Sequence, residues 1–100
     1  MFKTLSNVEF KRELESWDCI LIDVRTDGER IKFWKISENQ LNMDIYNPKA
    51  TEQILALDKK KKYLIYCWHG NRSLVVLNFM KQNWFSWACD LERWIVNWKW

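Results

Sequence analysis

Two short, uninterrupted apolar runs constrain the fold of this chain more than any other feature. The first, Cys19-Ile20-Leu21-Ile22-Asp23-Val24, ends in polar residues, and the second, Tyr63-Leu64-Ile65-Tyr66, stops abruptly at Cys67. Continuous apolar runs of this length are typical of strands that are buried on both faces of a parallel sheet. The segments between them are amphipathic, and this alternation of strand and helix indicates an α/β fold with a parallel sheet.

The rest of the sequence supplies helices that would cover such a sheet. Ser6 and Glu9 form a capping box at the start of a helix that we predict over 7–16, and Pro48 suits the first turn of another helix. Further helices are predicted over 27–33, directly after Arg72 and over 94–98, and further short strands over 41–45 and 88–91. A length of 100 residues fits one domain spanning residues 1–100.

Composition and charge argue against several classes of protein. The net charge of +3 is too small to indicate a nucleic-acid partner, and no apolar run approaches the ~18 residues of a membrane span. The first residues lack the apolar stretch of a secretory signal, so we expect a cytoplasmic protein with reduced thiols. A zinc site needs about four N or S ligands, so three cysteines without a C-x-x-C pair and a single histidine argue against one. We expect no metal and no organic cofactor.

Cys67 stands where chemistry is expected in an α/β sheet. Ligands bind beyond the carboxyl ends of the strands, and Cys67 lies at such an end with a helix beginning a few residues later. The free N–H groups of that helix, and of a loop curled into an anion nest, would favour thiolate over thiol. Gly70 would allow a tight turn, and Arg72 would add a permanent cation suited to an oxyanion. The alternative is a buried strand-end cysteine with an unrelated arginine nearby.

In family terms, these residues resemble the rhodaneses. Leu21-Ile22-Asp23-Val24-Arg25 with Glu29 is similar to the early D-V-R…E motif, and Cys67 to Ser73 is similar to the active-site loop C-x-x-G-x-R-S. Leu91-Glu92 with Trp98 is similar to the L-x-G-G…W ending. The resemblance covers nearly the whole chain. It implies a rhodanese-like three-layer fold, with a parallel sheet of about four to five strands flanked by helices.

The resemblance also implies a mechanism. Cys67 would attack the outer sulfur of a donor such as thiosulfate and carry it as a persulfide to a thiol or cyanide, in two-step covalent catalysis. A sulfur-relay protein is a further expected partner; nucleic acid and membrane are not. Asp23 and Arg25 would brace the loop, and Cys19 and Cys89 would be small core residues, with a resolving thiol as the less favoured alternative. The expected substrate-binding residues are Trp68, His69, Gly70, Asn71, Arg72 and Ser73.

Two other functions compete with sulfur transfer. A non-catalytic interaction module could keep the rhodanese fold, although a degenerate module usually loses the cysteine that is intact here. Phosphatases built on a Cys–Arg cradle typically use C-x5-R, whereas four residues separate Cys67 from Arg72. The shorter loop favours a sulfurtransferase over a phosphatase.

The chain departs from the rhodanese pattern at positions where glycine would serve. Trp17, Trp34, Trp84 and Trp94 occupy such positions, in a chain with 8 Trp and only 2 Gly. A non-glycine residue at positive φ loses roughly 1–2 kcal/mol. We hypothesise that the gene belongs to a lineage that decodes UGA as glycine and was translated with a table that reads UGA as tryptophan. A deliberately tryptophan-rich design is the competing explanation.

Overall fold

A computed structural model describes residues 1–16, 18–33, 35–68 and 71–92. Five strands and four helices alternate in these ranges. In chain order they are β1 (Phe2–Leu5), α1 (Asn7–Leu14), β2 (Cys19–Asp23), α2 (Asp27–Lys32), β3 (Leu41–Asn42), α3 (Ala50–Leu55), β4 (Lys62–Tyr66), α4 (Asn71–Gln82) and β5 (Trp87–Leu91). The helix predicted over 94–98 lies outside the described residues.

The strands form one sheet in the order β1-β5-β4-β2-β3, and every neighbouring pair is parallel. The predicted α/β class and parallel sheet are therefore confirmed. The strand β1 was not predicted from the sequence. It is a four-residue edge strand that pairs only with β5, at the other end of the described chain.

The sheet separates two apolar clusters. One contains Ile65, Cys67 and Ala88 with the buried side of α4; the other contains Leu64, Tyr66 and Cys89 with Phe10 of α1. Alternate residues of each strand point to opposite faces, so the end of β4 sends Cys67 towards α4 and Tyr66 towards the other layer. This alternation places the reactive candidate on a defined side of the sheet.

The structure confirms some of the predicted helix ends and corrects others: Pro48 precedes the N-cap of α3, Lys49, and so lies outside the first turn, and α1 ends at Leu14 rather than at residue 16. The capping box of Ser6 and Glu9 is present at the start of α1. A second capping box, which was not predicted, joins Thr26 to Glu29 at the start of α2. None of the described helices is long and apolar enough to cross a membrane.

The end of α4 confirms the expectation for Trp84. Its φ is 69°, and no other non-glycine residue in the described ranges has a positive φ. The Phe85 N–H donates to the Met80 carbonyl at 3.2 Å, which is the wide hydrogen bond of a Schellman motif with Trp84 at the C′ position. Phe85 and Met80 pack in the same apolar cluster, as that motif favours. Trp17, Trp34 and Trp94 lie outside the described residues.

Candidate active site

The Cys67 sulfur lies between the end of β4 and the first turn of α4. The backbone N–H of Ser73, in that first turn, donates to Cys67 Sγ at 3.3 Å. The first N–H groups of a helix have no partner within the helix and carry partial positive charge. One of the amides expected to stabilise a thiolate is therefore in place.

A cavity of about 390 Å³ opens beside this sulfur. Cys67 is only 1% exposed, so it lies at the floor of the cavity rather than on the surface. The volume is within the roughly 300–1,000 Å³ of small-molecule sites. The described residues that line it are Glu29, Tyr46, Cys67, Asn71 and Arg72.

Arg72 lines this cavity as part of an ion pair with Glu29. Its Nη1 and Nη2 donate to the two carboxylate oxygens of Glu29 at 2.6 and 2.7 Å. This bidentate pair lowers the pKa of Glu29 to about 2 and raises that of Arg72. The Tyr46 ring lies under the guanidinium, 5.6 Å from Cζ. Arg72 is thus held in one orientation at the wall of the cavity.

Glu29 has two structural tasks at once. Its Oε1 accepts from the Thr26 N–H at 3.0 Å to close the second capping box, and its carboxylate also holds Arg72. Residues 43 positions apart are thereby joined at one point. The two segments that resemble the D-V-R…E motif and the C-x-x-G-x-R-S loop are far apart in the sequence and meet through this pair.

A line of polar side chains runs behind the sulfur, away from the cavity. The Cys67 thiol donates to Ser73 Oγ at 3.5 Å, and Ser73 Oγ donates to Asp90 Oδ2 at 3.0 Å. Thr4 Oγ1 donates to the other oxygen of Asp90 at 2.7 Å. Burial raises the pKa of Asp90, although the bonds from Thr4 and Ser73 oppose that rise. The buried carboxylate is thus linked to the candidate nucleophile by a single hydroxyl.

Asp23 and Arg25 form a buried ion pair with each other, on the face of the sheet opposite Cys67. Arg25 Nη2 donates to Asp23 Oδ2 at 2.8 Å, and both side chains are 0% exposed. The Tyr66 hydroxyl lies 3.2 Å from the same Asp23 oxygen and 2.5 Å from Gln40 Oε1. Within the described part of the chain, Arg25 Nη1 is buried without a partner. The pair anchors the residue before Cys67; bracing of the loop itself stays a prediction.

The other predicted site residues take different places. Trp68 stacks on Phe33 with ring centroids 4.5 Å apart. It also packs against the apolar cluster that contains Phe10 of α1, called here the α1-side cluster. It is not among the described residues that line the cavity. Asn71 does line it. His69 and Gly70 lie outside the described residues.

The remaining cysteines lie across the sheet from Cys67. Cys89 is fully buried in the α1-side cluster, where burial raises the pKa of its thiol to about 11. Cys19 is only half-buried against that cluster, which corrects the expectation of a core residue. The sheet between these thiols and Cys67 argues against a resolving role. No group of three potential metal ligands was found among the described residues.

Sequence reasoning assigned no role to Glu29 and overlooked Tyr46, Asp90 and Thr4. Besides its place in the D-V-R…E resemblance, Glu29 carried a usable signal in the T-x-x-E capping box that begins at Thr26. Asp90 stood out only as a carboxylate inside a predicted strand. Thr4 and Tyr46 had no signal, because their positions depend on contacts between distant parts of the chain.

The fold and site are those of a small α/β domain with a cysteine at the end of a central strand, beside the first turn of a helix. The sequence model of the rhodanese-like domain matches residues 6–99, so the chain belongs to the rhodanese-like family. Membership of this family supports a role in sulfur transfer in general. No curated protein matches the chain.

Solved structures share the fold. A rhodanese-related protein from Thermoplasma volcanium is 26% identical, with 97% of this chain and 90% of that chain covered and a TM-score of 0.80. The human single-domain sulfurtransferase TSTD1 is 18% identical, with 95% and 93% covered and a TM-score of 0.75. A NAD-dependent persulfide reductase from A. fulgidus is 22% identical, with 98% of this chain but 16% of that chain covered and a TM-score of 0.71. At these last two identities the likeness concerns the fold.

Proposed function

We propose that this protein is a sulfurtransferase that carries a sulfane sulfur on Cys67 as a persulfide. The observation that supports this most is the position of Cys67 Sγ, which lies at the floor of a cavity and accepts the Ser73 N–H at 3.3 Å. A sulfur in that position has a helix N-terminus to stabilise negative charge and an opening through which a small anion can reach it.

The reaction proceeds in two halves. The Cys67 thiolate attacks the outer sulfur of thiosulfate; a sulfur–sulfur bond forms at Sγ, the bond inside thiosulfate breaks, and sulfite leaves with the electron pair. A thiol, cyanide or a sulfur-relay protein then attacks the outer sulfur of the persulfide and regenerates the thiolate. This is ping-pong covalent catalysis.

Arg72 contributes hydrogen-bond donors to the wall of the site. The Glu29 pair uses one N–H of each terminal nitrogen, and a guanidinium carries further donors. Arg72 can therefore stay fixed by Glu29 while it donates to the sulfonate oxygens of a donor. Three thiols with no disulfide between them suit a reducing compartment such as the cytoplasm.

A thiosulfate:cyanide assay tests the proposal. We expect the wild-type chain to form thiocyanate with ping-pong kinetics and Cys67→Ser to form none. Cys19→Ser, which changes a thiol across the sheet, is the matched control and is expected to retain activity. Activity that persists in Cys67→Ser would refute the assigned nucleophile.

One observation favours a non-catalytic interaction module instead. The Cys67 residue is 1% exposed, so access depends on the cavity alone. If that function were correct, wild type and Cys67→Ser would both lack turnover, and Cys67 would resist alkylation in the folded protein.

A further inference from the structure

A buried carboxylate that the proposed mechanism does not use lies one hydroxyl away from the nucleophile. We propose that Asp90, acting through Ser73, receives the Cys67 proton when the thiolate forms and returns it at the end of each cycle. This inference rests on the proposed function, because it supplies the thiolate which that function requires.

The strand register brings the three groups together. Asp90 of β5 pairs with Thr4 of β1 on one side and with Ile65 of β4 on the other. Side chains two positions apart on a strand share a face, so Asp90 lies on the same face of the sheet as Cys67. Ser73 projects from the first turn of α4 into the space between them, with its hydroxyl 3.0 Å from Asp90 Oδ2 and 3.5 Å from Sγ.

The direction of the hydrogen bonds suits proton transfer. The thiol donates to Ser73 Oγ, and that hydroxyl donates to the carboxylate. When the Sγ–H bond breaks, its proton can pass to Ser73 Oγ while the original hydroxyl proton passes to Asp90 Oδ2. The products are a thiolate, an unchanged serine and a neutral carboxylic acid, so the net charge of the buried group is conserved.

Charge conservation is the physical reason for the relay. Asp90 is 1% exposed and Ser73 0% exposed, so interactions between charges at this point are weakly screened. If the thiol lost its proton to solvent, a thiolate and a carboxylate would be buried a few ångströms apart, and like charges so placed do not both ionise readily. Internal transfer produces the nucleophile without that repulsion.

The relay also balances over the whole cycle. Asp90 holds the proton while the sulfur is on Cys67 as the persulfide anion. When the acceptor removes the outer sulfur, the thiolate that remains takes the proton back through Ser73. Donor and acceptor chemistry is unchanged, and no additional reactant is required.

The other charged groups near this line do not supply the same function. Arg72 of α4 and Glu29 of α2 neutralise each other across the cavity. Tyr46 lies against Arg72, and Thr4 of β1 donates to Asp90 without carrying charge. His69 follows the nucleophile by two positions in the sequence, and histidine side chains in general change charge near neutral pH. The test therefore includes it as a variant.

The test is the pH profile of Cys67 alkylation by iodoacetamide, followed by peptide mass for Cys67 alone. Two groups that share a proton titrate in two steps. The wild-type rate should therefore have a flat region between about pH 6 and pH 8. Asp90→Asn keeps an acceptor for Ser73 but cannot take a proton, so its rate should fall about tenfold per pH unit below one inflection. Between pH 6 and pH 8 the rate should therefore change little in wild type and rise about a hundredfold in Asp90→Asn.

The shape of the profile separates the relay from a structural role of Asp90. In the flat region the form that reacts is the thiolate beside a protonated Asp90, so a carboxylate that never takes the proton would give no flat region. Thr4→Val leaves the carboxylate and Ser73 in place and should keep the flat region, as should His69→Gln. A single inflection in wild type, or a flat region that persists in Asp90→Asn, would overturn the inference.

A second measurement on the wild-type chain covers the case in which Asp90→Asn does not fold. Infrared difference spectra of the persulfide minus the thiol form, with and without ¹³C-labelled aspartate, should show an aspartic acid C=O band that appears with the persulfide. Its absence in a protein whose mass shows the added sulfur would also overturn the inference. Failure to form the persulfide refutes the proposed function instead, and the alkylation profile remains an independent test of the relay.

Discussion

Replacement of Trp84 by glycine and by alanine is expected to give two variants of clearly different stability. Trp84 has φ 69° and is 86% exposed. Both variants remove the same side chain, so the small loss of burial cancels between them. Alanine keeps the Cβ, which costs roughly 1–2 kcal/mol in the left-handed region. Glycine removes that cost, but it lowers the free energy of unfolding by about 0.4–1 kcal/mol because the unfolded chain gains conformational entropy.

The balance is an advantage of about 1 kcal/mol for Trp84→Gly over Trp84→Ala, which corresponds to a Tm about 4–8 °C higher for a domain of this size. Urea unfolding and thermal scans of both variants measure it. The same pair of substitutions at Asn78, exposed and inside α4, is the matched control. There alanine should be the more stable by about 1 kcal/mol. If the glycine and alanine variants were equally stable at position 84, or if alanine were the more stable residue at both positions, the assignment of strain to Trp84 would be refuted.

Three further outcomes are expected. The gene should encode residues 17, 34, 84 and 94 with UGA codons. UGG codons at those positions would refute the hypothesis that glycine codons were translated as tryptophan. Because the pKa of Glu29 falls from 4.5 to about 2 on folding, its contribution to stability is present above pH 4.5 and is lost as the pH falls towards 2. Acid titrations of unfolding should therefore show a steeper loss for wild type than for Glu29→Gln, and parallel curves would contradict the Arg72 pair. Tyr66→Phe removes the hydroxyl that contacts buried Asp23 and should lower the free energy of unfolding by about 1–3 kcal/mol in urea, whereas an unchanged value would show that the hydroxyl contributes nothing.

The parts of the fold that could be predicted from the sequence are those determined by local pattern. The apolar runs of β2 and β4 were sufficient to predict these two strands, and the capping box at Ser6 was sufficient to predict the start of α1. Both signals are local, because burial and helix capping act over a few residues. The same reasoning placed a cysteine at the end of β4. The need for glycine at position 84 was also visible, since Trp84 stands between a predicted helix and a predicted strand, where a C′ glycine is expected.

The parts that could not be predicted depend on distant contacts. The strand β1 has a mixed four-residue sequence and acquires its structure by pairing with β5, more than 80 positions away. The Glu29–Arg72 pair and the Thr4–Asp90 bond likewise join residues that no local period connects. Asp90 looked like an ordinary strand residue, because only the register of β4 and β5 shows that it lies behind Cys67.

Intact mass after treatment with thiosulfate and removal of excess reagent tests the sulfur-carrying role of Cys67 most directly. Wild type should gain the mass of one sulfur atom, located on the peptide that contains Cys67 and released by cyanide. Cys67→Ser should gain nothing, while Cys19→Ser should behave as wild type. A wild-type chain whose mass is unchanged, or an added sulfur found on Cys19 or Cys89, would contradict the account.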